Sequence, residues 1–73
     1  MRKELKLEIF LRKSKLRKDI WSNLGKPKTA TEIAKELGKH RSAISRALLD
    51  FEKANFIGCL NPRDVSFRVY EKS

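Results

Sequence analysis

The sequence predicts a mainly α, α+β domain: a three-helix core, a C-terminal β-hairpin and an extra N-terminal segment. Three observations carry this. Apolar residues recur at helical spacing in Leu16–Ile20–Trp21–Leu24, in Ile33–Ala34–Leu37 and in Ile44–Ala47–Leu48–Phe51. Helix punctuation falls between these stripes, at Ser14, Gly25, Thr29, Gly38 and Asn55. After Asn55 the pattern changes to two short apolar runs on either side of Asn61-Pro62-Arg63-Asp64.

Taken in order, residues 1–13, MRKELKLEIFLRK, carry two periodicities. Leu5, Leu7 and Ile9 alternate like a strand, whereas Leu7, Phe10 and Leu11 share a helical face; the abundance of Lys, Glu and Leu favours a short helix. This basic and apolar segment is set apart from the domain over 14–73. Ser14 suits the N-cap of a helix over Lys15–Leu24, which Gly25 stops. Lys26-Pro27-Lys28 reads as a connector. Thr29-Ala30-Thr31-Glu32 fits a capping box that starts a helix running to about Leu37. The turn Gly38-Lys39-His40 leads into a longer helix over 41–54, and Asn55 can end it in the left-handed conformation. Strands are expected over 56–60 and 66–71, with Phe67 and Val69 alternating against Arg68 and Tyr70. Trp21, Phe51, Phe56 and Phe67 are assigned to the core.

Ala34, Gly38 and Ile44 fall at the spacing of a helix-turn-helix. Ala34 is small where the second helix crosses, Gly38 tolerates the positive φ of the turn, and Ile44 locks the second helix onto the first. Such a motif places its second helix in the DNA major groove. Three helices followed by a hairpin make a winged-helix arrangement, with a wing between Asn61 and Phe67.

Charge points the same way. Eighteen Lys and Arg stand against nine Asp and Glu, a formal net charge of +9, which favours a polyanionic partner. A single cysteine, Cys59, excludes an internal disulfide and the paired-thiolate zinc frameworks, and with only His40 besides it no metal site is expected. No apolar run reaches the roughly 20 residues of a bilayer span. A cytoplasmic, nucleoid-associated protein is expected, with no cofactor, no membrane partner and no evident small-molecule ligand. Catalysis is not expected, because neither a carboxylate pair in a recognisable constellation nor a Gly-rich phosphate loop is present.

The segments SKLRKDIWSNL, PKTATEIAKELGKHRSAISRALLDFEKANFIGCLNP and FRVYEKS resemble the small winged helix-turn-helix transcriptional regulators common in archaea, broadly related to the MarR and ArsR groups. The resemblance covers Ser14 to Ser73 and is most specific from Pro27 through Pro62. It implies sequence-specific double-stranded DNA binding by a transcription factor. Asn55 stands where glycine is usual, Leu49 stands where a polar residue is usual, and the wing is shorter and less basic than many.

On a helical wheel of 41–54, Ala43, Ile44, Ala47, Leu48 and Phe51 share the core arc. The opposite arc offers Arg41, Ser42, Ser45 and Arg46 near the N-terminal end, where bases are read. Arginine pairs with guanine O6 and N7, and serine serves either base type. Thr29, Thr31, Lys28 and Lys39 are the candidate phosphate anchors, His40 a helix cap or phosphate contact, and Arg63 the wing contact. Neutralising about six phosphates would lower affinity by roughly 10³-fold between 50 and 200 mM salt. Leu49, in the middle of the polar arc, is either a lone exposed leucine or is buried against residues 1–13 or a second subunit, so a homodimer through these elements is the expected alternative assembly. The competing functional reading is a winged-helix protein-interaction adaptor, for which apolar anchors on this helix would be the signature.

Overall fold

The computed structural model describes residues 3–73, which form four helices and a three-stranded antiparallel sheet. Helix α1 spans Lys3–Arg12, α2 Lys15–Asn23, α3 Ala30–Leu37 and α4 Arg41–Lys53; strand β1 is Lys28–Thr29, β2 Ile57–Cys59 and β3 Val69–Lys72. The sheet order is β1-β3-β2, with Lys28 opposite Tyr70 on one side of β3 and Cys59 opposite Tyr70 on the other.

Local chemistry explains where the helices begin and end. Ser14 accepts the Arg17 N–H at 3.4 Å and opens α2. Thr29 and Glu32 form the complete capping box: the Glu32 N–H donates to Thr29 Oγ1 at 3.2 Å and the Thr29 N–H donates to Glu32 Oε1 at 3.0 Å. Gly38 takes φ 65° and lets the Lys39 N–H reach back to the Ala34 carbonyl at 2.9 Å. Asn55, at φ 64°, performs the same closure after α4, where the Phe56 N–H bonds the Phe51 carbonyl at 3.0 Å. That closure brings Phe56 into the core beside Phe51.

The core is shared by every helix. Ile20, Leu24, Ile33, Ile44, Leu48 and Phe51 are almost fully buried, and Phe56, Ile57 and Tyr70 close the sheet side. Helix α1 packs on this core through Leu7, Phe10 and Leu11. The Phe10 ring sits edge-on to Phe51 at 4.8 Å and tilted against Phe56 at 5.2 Å. Trp21 stacks on Phe51 at 5.8 Å, and the Lys72 ammonium lies over the Trp21 ring at 4.5 Å.

Three expectations are corrected. Lys28 opens strand β1 and is not part of a connector, because the backbone of Lys28 and Thr29 pairs with the edge of β3 that β2 leaves open. Phe67 is exposed and Tyr70 is buried, the reverse of the expected alternation. The strand begins only at Val69; residues 61–68 form a hydrogen-bonded loop, so the period-2 rule starts three residues later than assumed. Ala43 is exposed and does not belong to the core arc of α4. Of the two readings of Leu49, the exposed one agrees with the structure: it is 43% exposed, and its neighbours around an open cleft are Ser45, Val65 and Phe67. Among the described residues no helix is long and apolar enough to cross a membrane.

Candidate nucleic-acid interface

The outward side of α4 divides into two edges. Along one, Ser42, Ala43 and Arg46 are exposed, and Arg46 makes no hydrogen bond or ion pair among the described residues. Helical geometry puts Arg41, Ser45 and Leu49, four residues apart, on the other edge. Here Arg41 is exposed but donates from Nη2 to the Ser66 carbonyl at 3.0 Å, and Ser45 is half-buried beside the 61–68 loop. The four candidate base readers therefore share a helix face but differ in freedom.

Lys39 and His40 are exposed just ahead of α4. His40 occupies the N-cap position, yet its side chain makes no capping hydrogen bond. Thr29 and Thr31 are half-buried at the start of α3, with the Thr29 hydroxyl engaged by the Glu32 N–H. The Glu32 carboxyl lies below its ordinary value, first because it accepts the Thr29 backbone N–H and then because of the Thr29 hydroxyl. Lys28, proposed as a phosphate anchor, is only 8% exposed. Its ammonium is held by Glu36 Oε2 at 2.8 Å and Asn23 Oδ1 at 3.1 Å. Paired in β1, Lys28 is buried with its ammonium engaged, whereas Lys39 is exposed.

The loop over 61–68 is braced by its own polar side chains. Asn61 Oδ1 accepts the Val69 N–H at 2.6 Å while its Nδ2 donates to the Phe67 carbonyl at 2.8 Å. The Asp64 carboxylate accepts the Ser66 and Phe67 N–H groups, both at 2.9 Å, and these two bonds, Phe67 first, hold its carboxyl below the ordinary value. Arg68 Nε closes the loop on the Asp64 carbonyl at 3.1 Å. Arg63 is exposed at the turn. Cys59 is half-buried, its thiol donating to Asn61 Oδ1 at 3.6 Å.

Two features escaped the sequence reading. Val65 and Phe67 stand out from the loop and share with Leu49 and Ser45 an open cleft of about 180 Å³. On the far side of α4, Ala43 and Arg46 face Lys13, Ser14 and Arg17 across a groove of about 350 Å³. Arg17 itself is engaged by Asp50 at 3.6 Å and by the Phe10 carbonyl at 3.1 Å. Neither feature has a sequence signal, since both depend on how α1 and the loop fold back. Among the described residues, no group of three or more His, Cys, Asp or Glu is placed to hold a metal ion.

No family model, curated protein or solved structure matches the chain.

Proposed function

We propose that this chain is a winged-helix domain that binds double-stranded DNA as a transcriptional regulator. Helix α4 lies in the major groove and the braced 61–68 loop serves as a short wing. The observation that carries this reading is the exposed edge Ser42–Ala43–Arg46, which follows exposed Lys39 and His40 and has its opposite face buried through Ile44, Ala47, Leu48 and Phe51. An excess of nine positive charges supplies the sequence-independent attraction to phosphate. Thr29, Thr31 and Lys39 anchor the backbone, Arg63 contacts it from the loop, and Arg41, Ser42, Ser45 and Arg46 stand where bases are read.

A second reading, a protein-interaction adaptor, is favoured by one observation: Leu49, Val65 and Phe67 are 43%, 81% and 62% exposed around one cleft. One experiment separates the two. Labelled protein is titrated with random-sequence duplex DNA at low and moderate salt and followed by NMR. DNA binding gives shifts at residues 29–31, 39–46 and 63 that weaken steeply with salt. No binding at low salt overturns the regulator reading and leaves the apolar cleft as the place to find a protein partner.

A further inference from the structure

We infer that the cleft between α4 and the 61–68 loop is a thymine-methyl pocket, through which Leu49 and Phe67 give the domain a preference for particular A·T positions. This rests on the reading of α4 as a DNA-facing helix. A single exposed apolar side chain is ordinary. Here three converge, and the loop that carries two of them is fixed by Asn61, Asp64, Arg68 and the Arg41–Ser66 bond. A surface held in its binding conformation beforehand loses little freedom on association.

The chemistry of the cleft selects its occupant. Thr29, Ser45 and Arg68 line it together with Leu49, Val65 and Phe67, and no carboxylate lines it. At about 180 Å³ it is small, with room for a group of methyl size and its attached ring edge. With Arg68 as the one charged residue of the lining, an anionic partner carrying small apolar projections suits the cleft. In the major groove the C5 methyl of thymine is the apolar projection that base edges offer. Arg41, Ser45 and Leu49 follow one another at helical spacing on one face, so a duplex that meets Arg41 and Ser45 meets Leu49 about one turn beyond Ser45.

The test compares alternating A·T duplexes containing thymine with the same duplexes containing deoxyuracil, which lack only the methyl. Binding is measured by fluorescence anisotropy at low salt. The wild-type protein is expected to bind the deoxyuracil duplex roughly fourfold more weakly for each methyl that leaves an apolar contact. Leu49→Ala and Phe67→Ser, both at exposed positions, should bind the two duplexes alike. Ile9→Ala, exposed on α1, should keep the preference. Equal wild-type affinity for both duplexes overturns the pocket while leaving DNA binding intact. So does a thymine preference that survives in Leu49→Ala and Phe67→Ser. A wild-type protein that binds neither duplex overturns the DNA reading itself. Self-association that these two variants abolish, without any thymine preference, would assign the patch to a second copy and overturn the inference.

Discussion

Arg41, the first residue of α4, donates from Nη2 to the Ser66 carbonyl 3.0 Å away and so ties the helix to the loop beside it. The bond uses one of the guanidinium's five donors and leaves the others to be aimed elsewhere. Arg41 is thereby both a brace and a candidate DNA contact. Arg46, on the neighbouring edge, has no such structural task among the described residues.

This difference gives the first prediction. Arg41→Ala should speed amide hydrogen exchange at Ser66 and Phe67 and lower stability by less than about 1 kcal/mol, since the lost bond is exposed. Arg46→Ala should leave exchange unchanged while weakening DNA binding. If Arg46 meets phosphate, the slope of log affinity against log salt drops by about one; if it meets guanine, the loss is larger on one sequence than on others. An Arg46→Ala protein with wild-type affinity for every duplex would remove this edge of α4 from the interface.

Thr29 should matter to stability out of proportion to its size. Thr29→Ala removes the cap of α3 at a cost of about 1 kcal/mol, or roughly 4–8 °C in Tm for a chain of this length. The capping box also makes the start of α3 sensitive to acid. Glu32 has its carboxyl held below the ordinary 4.5 by the Thr29 N–H, so the folded chain holds this proton less tightly than the unfolded one. The contribution is complete above 4.5 and disappears as pH falls through the lowered folded value. Asp64, ordinarily 3.8, follows the same sign through the Phe67 and Ser66 amides. An acid titration by NMR should shift the Thr29 amide in step with the Glu32 carboxyl and the Ser66 and Phe67 amides in step with Asp64. In Glu32→Gln the first response should vanish and the second remain.

Lys28 is predicted to serve the fold and not the DNA. Its stem is buried and its ammonium is satisfied by Asn23 and Glu36, the latter a largely exposed partner. Lys28→Ala should therefore cost about 1–2 kcal/mol by chemical denaturation, with the ion pair a minor share because Glu36 is screened by water. Lys28→Met, which keeps the stem, should recover much of that loss. Neither variant should change the salt slope of DNA binding, whereas Lys39→Ala should reduce it by about one. A slope that falls equally in Lys28→Ala would mean that the ammonium leaves Glu36 when DNA binds.

These residues also show what could be read from the chain alone. Ser14, Thr29 with Glu32, Gly38 and Asn55 act through neighbours within five positions, so their spacing announced the helix boundaries. The buried stripes of α3 and α4 were legible for the same reason, apart from Ala43, a small residue at the border where the wheel has no power to decide. Lys28 and Phe67 were misread because their surroundings come from far along the sequence. Lys28 turns inward only because β3 pairs with it across 42 residues, Lys28 lying opposite Tyr70. Phe67 turns outward only because Asn61 and Asp64 fold the preceding loop and delay the strand. Among the candidate DNA contacts, the exposure of Arg41, Ser42, Arg46, Lys39 and Arg63 was foreseeable from the wheel and the turn chemistry. The bond from Arg41 to Ser66 was not, since no periodicity links a helix to a loop 25 residues away.

Helix α1 is predicted to be part of the cooperative unit. Phe10 contacts Phe51 and Phe56, and Arg17 holds it twice, with its guanidinium 3.9 Å from the ring centroid and Nη1 donating to the Phe10 carbonyl. Asp50 of α4 steadies the same guanidinium at 3.6 Å, so one arginine joins three helices. Phe10→Ala removes a half-buried ring and its edge-on aromatic pair, a loss of about 2–4 kcal/mol. A domain of this length has a total stability of about 4–11 kcal/mol, so the variant should sit close to unfolding. Phe10→Leu keeps most of the volume and should stay folded with a loss of about 1–2 kcal/mol. Arg17→Ala should cost a similar amount through the lost cation–π contact and hydrogen bond. Because the two residues act on each other, the double variant Phe10→Leu/Arg17→Ala should lose less than the sum of the singles in urea denaturation. Additive losses would mean that Arg17 acts through the Phe10 carbonyl and Asp50, neither of which Phe10→Leu removes, and that its contact with the ring contributes nothing. A loss below 0.5 kcal/mol for Phe10→Leu, with an unchanged m-value, would mean that α1 rests on the core without contributing to it.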